Sequence, residues 1–504
     1  VSERSEHPRD GLPGATPERL PDGAPERLPD SPPDSPPDGP PDSPPDGPPD
    51  GPPDGPPDGP PDGPPDGPPD GPPDGPPSAT EGSRGGRRVT FDRWAARGIQ
   101  RVTAGPLGRY QSAVVRIGFA GTWLLFLLRE LPHRHEMYGP DAPWGWDLAQ
   151  QLIAKNGAFT GLMWSDSTVW FEIVYAVAVL SSALLLLGWR TRTMSVVFMF
   201  GVLSLQNRSI FMGDGGDNII HLIAIYLVLT RCGQVWSLDA RRAARAARKG
   251  ADVVPDGAIP DPVVNRAVPD RVGPVLWVVL GGALLVGTSL DRVHVELWML
   301  ILFWALWVAQ GLWWAANRYA PDGEPRALLD ILANLVHNAG LAVIMAEVCL
   351  VYATAGWYKI QGSRWQDGTA LYYPLNLDYF SPWPDLSGLL ASSGVMVMLV
   401  SYGTVIVQVA FPFTLFNRRV KNVLLVAMML EHAGIAVLLG LPFFSLAMIA
   451  ADAVFLPTNF LRWLGDRIAH LRDRLFLWRG KPLPEQLSES PDQPRTLVGP
   501  DGRS

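Results

Sequence analysis

The sequence predicts an all-α polytopic membrane protein: a bundle of eight to ten transmembrane helices behind a disordered, proline-rich N-terminal tail. Three observations carry this. Long apolar segments recur from residue 112 to residue 457, each long enough to cross a bilayer. The chain holds 19 Trp, the residue favoured where a helix meets the membrane interface. Ionisable residues sit inside the apolar segments, where a charge is costly unless it faces protein or a wet cavity.

The average composition conceals two unlike parts. Mean hydropathy is +0.06 because a polar tail dilutes a very apolar body. Formal net charge is -8, with much of the acid in the tail, and nothing in the charge suggests a nucleic-acid partner. The two cysteines, Cys232 and Cys349, lie in or beside apolar segments, which argues against a disulfide framework and against a cysteine metal site. No cleavable signal pattern is visible, so the first apolar span is expected to direct insertion.

Residues 1–80 form the expected disordered tail. Within it, residues 31–74 repeat the tetrad Ser/Gly-Pro-Pro-Asp without a break. Proline removes backbone donors and the regularly spaced aspartates repel, so this segment is expected to be extended and partly polyproline II. A period of four excludes collagen, which needs glycine every third residue. Residues 81–109 turn basic, with Arg84, Arg87, Arg88, Arg93, Arg97, Arg101 and Arg109. Contact with anionic membrane lipids is expected there.

The transmembrane domain is placed at 110–465, with spans near 112–131, 168–189, 193–211, 217–236, 273–290, 295–316, 333–356, 386–412, 422–441 and 443–457. The two weakest are 193–211, which ends in Gln206, Asn207 and Arg208, and 443–457, which lies between Pro442 and Pro457. Either suits a re-entrant or broken helix. Ala283 with Gly287 and Ala436 with Gly440 are spaced for close helix approach. Basic residues before 110, at Arg190 and Arg192, at Arg241 to Lys249, at Arg418 to Lys421 and at Arg462 and Arg467 fall on one side if ten spans are counted. The positive-inside rule then puts both termini in the cytoplasm. The plasma membrane is the expected location. The loop 237–272 and the polar tail 466–504 are cytoplasmic in this scheme.

Four polar constellations are candidates for chemistry. Lys359 follows a span; an amine in a semi-apolar pocket can act as a base, and a lysine there can equally snorkel to the interface. Glu431 and His432 lie mid-span and, being adjacent, point about 100° apart. They can meet Glu347 or Asp452 on other helices, either for proton transfer or as polar glue. Asp217 and His221 are one helical turn apart after a glycine-rich turn, with Asp214 and Asn218 beside them. Asp217 can cap the helix or help hold a polar group. His133 and His135 sit in an outer loop. No metal site is expected, since no HxxxH or HExxH pattern occurs.

The stretches NRSIFMGDGGDNIIHL, YATAGWYKIQGSRWQDGTALYY and EHAGIAVLLGLPFFSLAMIAADAVFLP occur in that order. Across roughly residues 105–465 they resemble the HTTM (horizontally transferred transmembrane) domain family. That family is related to vitamin K-dependent gamma-carboxylase and includes sporulation-delaying protein B-like bacterial membrane proteins that assist production of a secreted peptide toxin. The carboxylase oxidises reduced vitamin K and removes a glutamate γ-proton. Its proposed base is a lysine in a context similar to Ala355, Gly356, Lys359 and Trp365, with Tyr358 here in place of a further lysine. Asn218 and His221 are the nearest counterpart of its Asn-Asn-His, at a different spacing.

The resemblance implies Lys359 as base, with His221, Glu347, Glu431 and His432 as catalytic partners. It implies Trp365, Tyr372, Tyr373 and Asp217 as residues binding a reduced quinone. The implied function is a carboxylase-like enzyme acting on a quinone or a peptide at the outer half of the membrane. The alternative is a non-catalytic accessory protein for maturation, export or immunity of a secreted peptide.

Overall fold

The computed structural model describes residues 93, 95–209, 211, 213–251, 272–289 and 297–477. The proline-rich tail, the linker after residue 251 and the C-terminal tail after residue 477 lie outside the described residues.

The described chain is all helical, with no strand among the described residues, and is a multi-pass membrane protein. Twelve helices build the argument: α1 (Arg109–Glu130), α2 (Thr168–Leu187), α3 (Thr191–Arg208), α4 (Gly215–Leu227), α5 (Leu238–Ala251), α6 (Val272–Ser289), α7 (Leu297–Tyr319), α8 (Glu324–Gln361), α9 (Gly394–Ala410), α10 (Arg418–Leu438), α11 (Pro442–Asp452) and α12 (Thr458–Leu477). Seven of them, α1, α2 and α6 to α10, are long and apolar enough to cross a membrane, and α11 with α12 makes an eighth if that bent pair is one span. This meets the lower end of the expected eight to ten.

The remaining expected spans differ in informative ways. α3 forms as 18 residues but keeps Gln206, Asn207 and Arg208 in its last turn. α4 stops after 13 residues instead of reaching 236. Beyond it, the Arg231 side chain leaves for Asn334 (2.6 Å) and Asp330 (3.1 Å) on α8, and its backbone N–H donates to His337 Nδ1 (2.8 Å). The stretch expected as one span at 386–412 is two helices, Pro384–Ala391 and α9, parted at Ser393, whose hydroxyl caps α9. α11 ends at Asp452, and the chain turns by 118° into α12 around Pro457, which offers no backbone donor to continue the helix. α8 is longer than expected, at 38 residues, because it already starts at Glu324, with Pro325 in its first turn, and runs on to Gln361.

α2 and α3 form a tight hairpin. Gly188 caps α2 with φ 71°, a left-handed conformation that favours glycine, and its N–H bonds back to Leu184 and Leu185. α6 and α7 pair through Trp277 and Trp307, whose rings stack at 4.1 Å. Each indole N–H donates to the other residue's carbonyl, at 2.9 and 3.0 Å.

One end of the bundle gathers polar anchors. Gln111 Nε2 donates to the Leu456 carbonyl (2.8 Å), Lys421 Nζ to that of Phe455 (2.5 Å), and His337 Nε2 lies 2.7 Å from that of Leu107. Inside α1, Arg116 is fully buried. Its guanidinium donates to the carbonyls of Leu185 (2.7 Å), Leu186 (3.1 Å) and Trp236 (2.8 Å), so a cation sits where the C-terminus of α2 is electronegative.

Candidate functional site

Glu431 and His432 are consecutive on α10, and the helical rotation of about 100° per residue sends them to different neighbours. Two separate networks result.

The first starts at Lys359, in the last turn of α8. One turn earlier, Gly356 lets α9 come close; a Cβ there would stand 2.5 Å from Val409 Cγ2. This approach sets the lysine beside Gln408. Lys359 Nζ donates to Gln408 Oε1 at 2.8 Å, and Gln408 Nε2 donates to Glu431 Oε1 at 2.6 Å. The amide thus uses its acceptor end for the amine and its donor end for the carboxylate, and joins three helices. Thr404, one turn before Gln408, also hydrogen-bonds the Glu431 side chain. The Trp365 ring lies 5.3 Å from Lys359 Nζ, close enough for a cation–π contact. Lys359 and Glu431 are half-buried, while Gln408 is buried.

The second network is sealed. The Tyr352 hydroxyl donates to Asp452 Oδ1 at 2.8 Å and lies 3.0 Å from His432 Nε2. A phenol has one proton to give. Given to Asp452, it leaves the oxygen to accept from His432, so Nε2 carries a proton. Tyr352, His432 and Asp452 are 1%, 2% and 0% exposed. His432 Nδ1 and Asp452 Oδ2 have no hydrogen-bond partner.

The other expected site residues stand apart. Glu347 is half-buried on α8 and makes no hydrogen bond or ion pair with the described residues, so the geometry gives it no hold on Lys359. The cap of α4 is Asp214, and Asp217 closes the capping box from the third helical position: Asp214 Oδ1 accepts from Gly216 (2.7 Å) and Asp217 (3.1 Å), and Asp217 Oδ2 accepts from the Asp214 N–H (3.0 Å). Asp217, Asn218 and His221 line a cavity of about 360 Å3 with Tyr138 and Gln206, and no member of the Lys359 chain lines it.

Tyr372 and Tyr373 meet edge to face at 5.9 Å, both half-exposed, and the Arg364 guanidinium covers Tyr373 at 4.8 Å. Nearby, Asp367 is held below the usual carboxylate range by hydrogen bonds from the Thr369 hydroxyl and backbone N–H. His133 and His135 turn to different carboxylates, Glu136 (3.3 Å) and Glu172 (2.8 Å). Glu172 also takes Arg134 at 2.7 Å, which raises the arginine above its ordinary value. Among the described residues no group of three or more His, Cys, Asp or Glu is placed to hold a metal ion.

Tyr352, Thr404, Gln408 and Arg116 were not singled out from the sequence. Arg116 carried a signal, as a charge in the interior of the span that begins the body, well away from Arg129 and Glu130 at its end. Gln408 carried a weaker one, a single amide in the run VIVQVAF. Tyr352 and Thr404 carried none, since both are ordinary in apolar helices. No family model matches the chain, and no curated protein and no solved structure matches it either.

Proposed function

We propose that the chain is an HTTM-type membrane protein with an acid–base site at Lys359, acting on a small secreted peptide at the outer half of the plasma membrane. The observation that carries this reading is the Lys359–Gln408–Glu431 chain, which draws an amine, an amide and a carboxylate from three helices into one line. In the neutral form the amine is a base. On taking a proton it becomes an ammonium whose charge the nearby carboxylate favours, with Gln408 holding the two at a fixed separation. The resemblance of the Lys359 segment to the carboxylase motif points the same way.

Both termini are cytoplasmic in this reading. Arg109, Arg190, Arg231 and Arg242, from four separate turns and termini, border one cavity. Such clustering at one end agrees with a cytoplasmic face rich in basic residues.

The aromatic residues expected to bind a reduced quinone have other partners: Trp365 lies against Lys359, Tyr373 against Arg364, and Tyr372 edge-on to Tyr373. No step is therefore assigned to a quinone.

A second reading has its own support. Tyr352, His432 and Asp452 are sealed from any substrate, as expected of residues that tie a bundle together in a non-catalytic accessory protein. The test is mass spectrometry of peptides and small molecules that co-purify in mild detergent with the wild-type chain and with Lys359→Ala. A peptide retained by the wild type and lost or left unmodified by the variant supports the acid–base site. Identical co-purified material from both proteins refutes it and leaves the accessory role.

A further inference from the structure

A second constellation lies away from Lys359, where two cavities of opposite character meet. The first, about 270 Å3, is an apolar slot between α2, α3, α6 and α7, walled by Trp164, Phe200, Trp277, Phe303 and Trp307. The second, about 950 Å3, is bordered by Arg109, Arg190, Arg192, Arg231 and Arg242, with Asp239 as its one carboxylate among the described residues. Arg192, Thr193 and Gln310 line both, so the slot and the basic bowl abut.

Two of the bowl's arginines, Arg231 and Arg242, have carboxylate partners among the described residues. Asp239 accepts from the backbone N–H groups of Arg190 (2.9 Å) and Thr191 (2.8 Å), where it caps α3, and also pairs with Arg242 at 3.5 Å. Arg231 has Asp330 as a partner at 3.1 Å. Among the described residues, Arg192 has no carboxylate in an ion pair. Its guanidinium lies 3.9 Å from the Trp313 ring centroid, and Arg326 and Arg231 approach the same ring at 4.6 and 5.6 Å. Stacking on an indole uses the face of a guanidinium and leaves its in-plane N–H donors for another group. Arg231 gives donors to Asn334 and Asp330, and Arg326 to Asn317 and Asp330, so of these three it is Arg192 whose fork faces the bowl without a hydrogen-bond partner among the described residues. Such a fork matches the oxygens of a phosphate, which takes paired N–H donors. The slot alongside supplies what a headgroup alone does not need, an apolar wall for a chain.

We propose that this paired cavity binds an anionic phospholipid, its phosphate in the arginine bowl at Arg192 and one acyl chain in the tryptophan-lined slot. The site holds this lipid in preference to a zwitterionic one, and it requires both the phosphate and the chain. It is independent of the reading given for Lys359.

The test is native mass spectrometry of the full chain in detergent, titrated with phosphatidylglycerol, with phosphatidylcholine of the same acyl chains, and with glycerol phosphate. Phosphatidylglycerol is expected to bind tightest. Arg192→Gln weakens it by about fivefold, the size expected for one basic residue near a lipid phosphate, and leaves phosphatidylcholine unchanged. Ala283→Phe, which narrows the slot, weakens phosphatidylglycerol but not glycerol phosphate. Equal binding of the two phospholipids by the wild-type chain overturns the proposal, and this arm needs no variant to fold. Glycerol phosphate binding as tightly as phosphatidylglycerol overturns it too, since the site would then take a free phosphate.

Discussion

The Lys359–Gln408–Glu431 chain and the Tyr352–His432–Asp452 triad grow from the same two helices, α8 and α10, yet they are built for different ends. Both span three helices through hydrogen bonds of 2.6 to 3.0 Å. The triad is closed to everything, with no member more than 2% exposed. The chain leaves its amine half-buried at a helix end, under an indole. Burial therefore separates the two where residue type does not. A sealed polar network ties helices together, and a polar network with one open end can meet a substrate.

Four substitutions probe that contrast, each read as thermal unfolding in detergent. Tyr352→Phe has the largest expected effect. It strips two buried groups of their partner, and a loss of about 1–3 kcal/mol is expected; an unchanged midpoint would mean that the triad does not hold the helices. Asp214→Ala removes the cap of α4, a polar group at the edge of the bundle, and should cost about 1 kcal/mol. Lys359→Met should cost about 0.6 kcal/mol, the average for a polar contact between membrane helices. A loss as large as that of Tyr352→Phe would place Lys359 with the glue. Arg134→Ala, at a half-exposed ion pair with Glu172, should cost about 0.5 kcal/mol, less in high salt. A salt-independent loss there would show that the pair is shielded from solvent.

How much of this was legible in the sequence depends on which physical rule was at work. Hydrophobic length is a local property, so α1, α2, α6, α7 and α10 were found close to their positions, while α8 and α9 were found with different ends. The ends of α4 and α11 were misplaced, because α4 stops where Arg231 turns toward α8, and α11 turns at Pro457 after ending on Asp452. The separation of Glu431 from His432 followed from helical rotation alone. Their partners did not, because Gln408 and Tyr352 are neutral side chains whose roles come from helix packing. His221 and Glu347 were grouped with Lys359 on the strength of a family resemblance, and α4 and α8 carry them to other surroundings.

Arg116 has a consequence for how the protein is made. Its burial is tolerable only when three carbonyls surround it, and the last of these, at Trp236, lies 120 residues downstream. A ribosome adding about 5–20 residues per second takes about 6–24 s to reach it. For that interval α1 carries a cation worth about 2.5–3.5 kcal/mol against residence in lipid. The first span is thus expected to wait at the insertion machinery until the α2–α3 hairpin and the segment after α4 arrive. Nascent chains stalled before residue 236 should then crosslink to the insertion machinery through α1, and Arg116→Leu chains should release early into the bilayer.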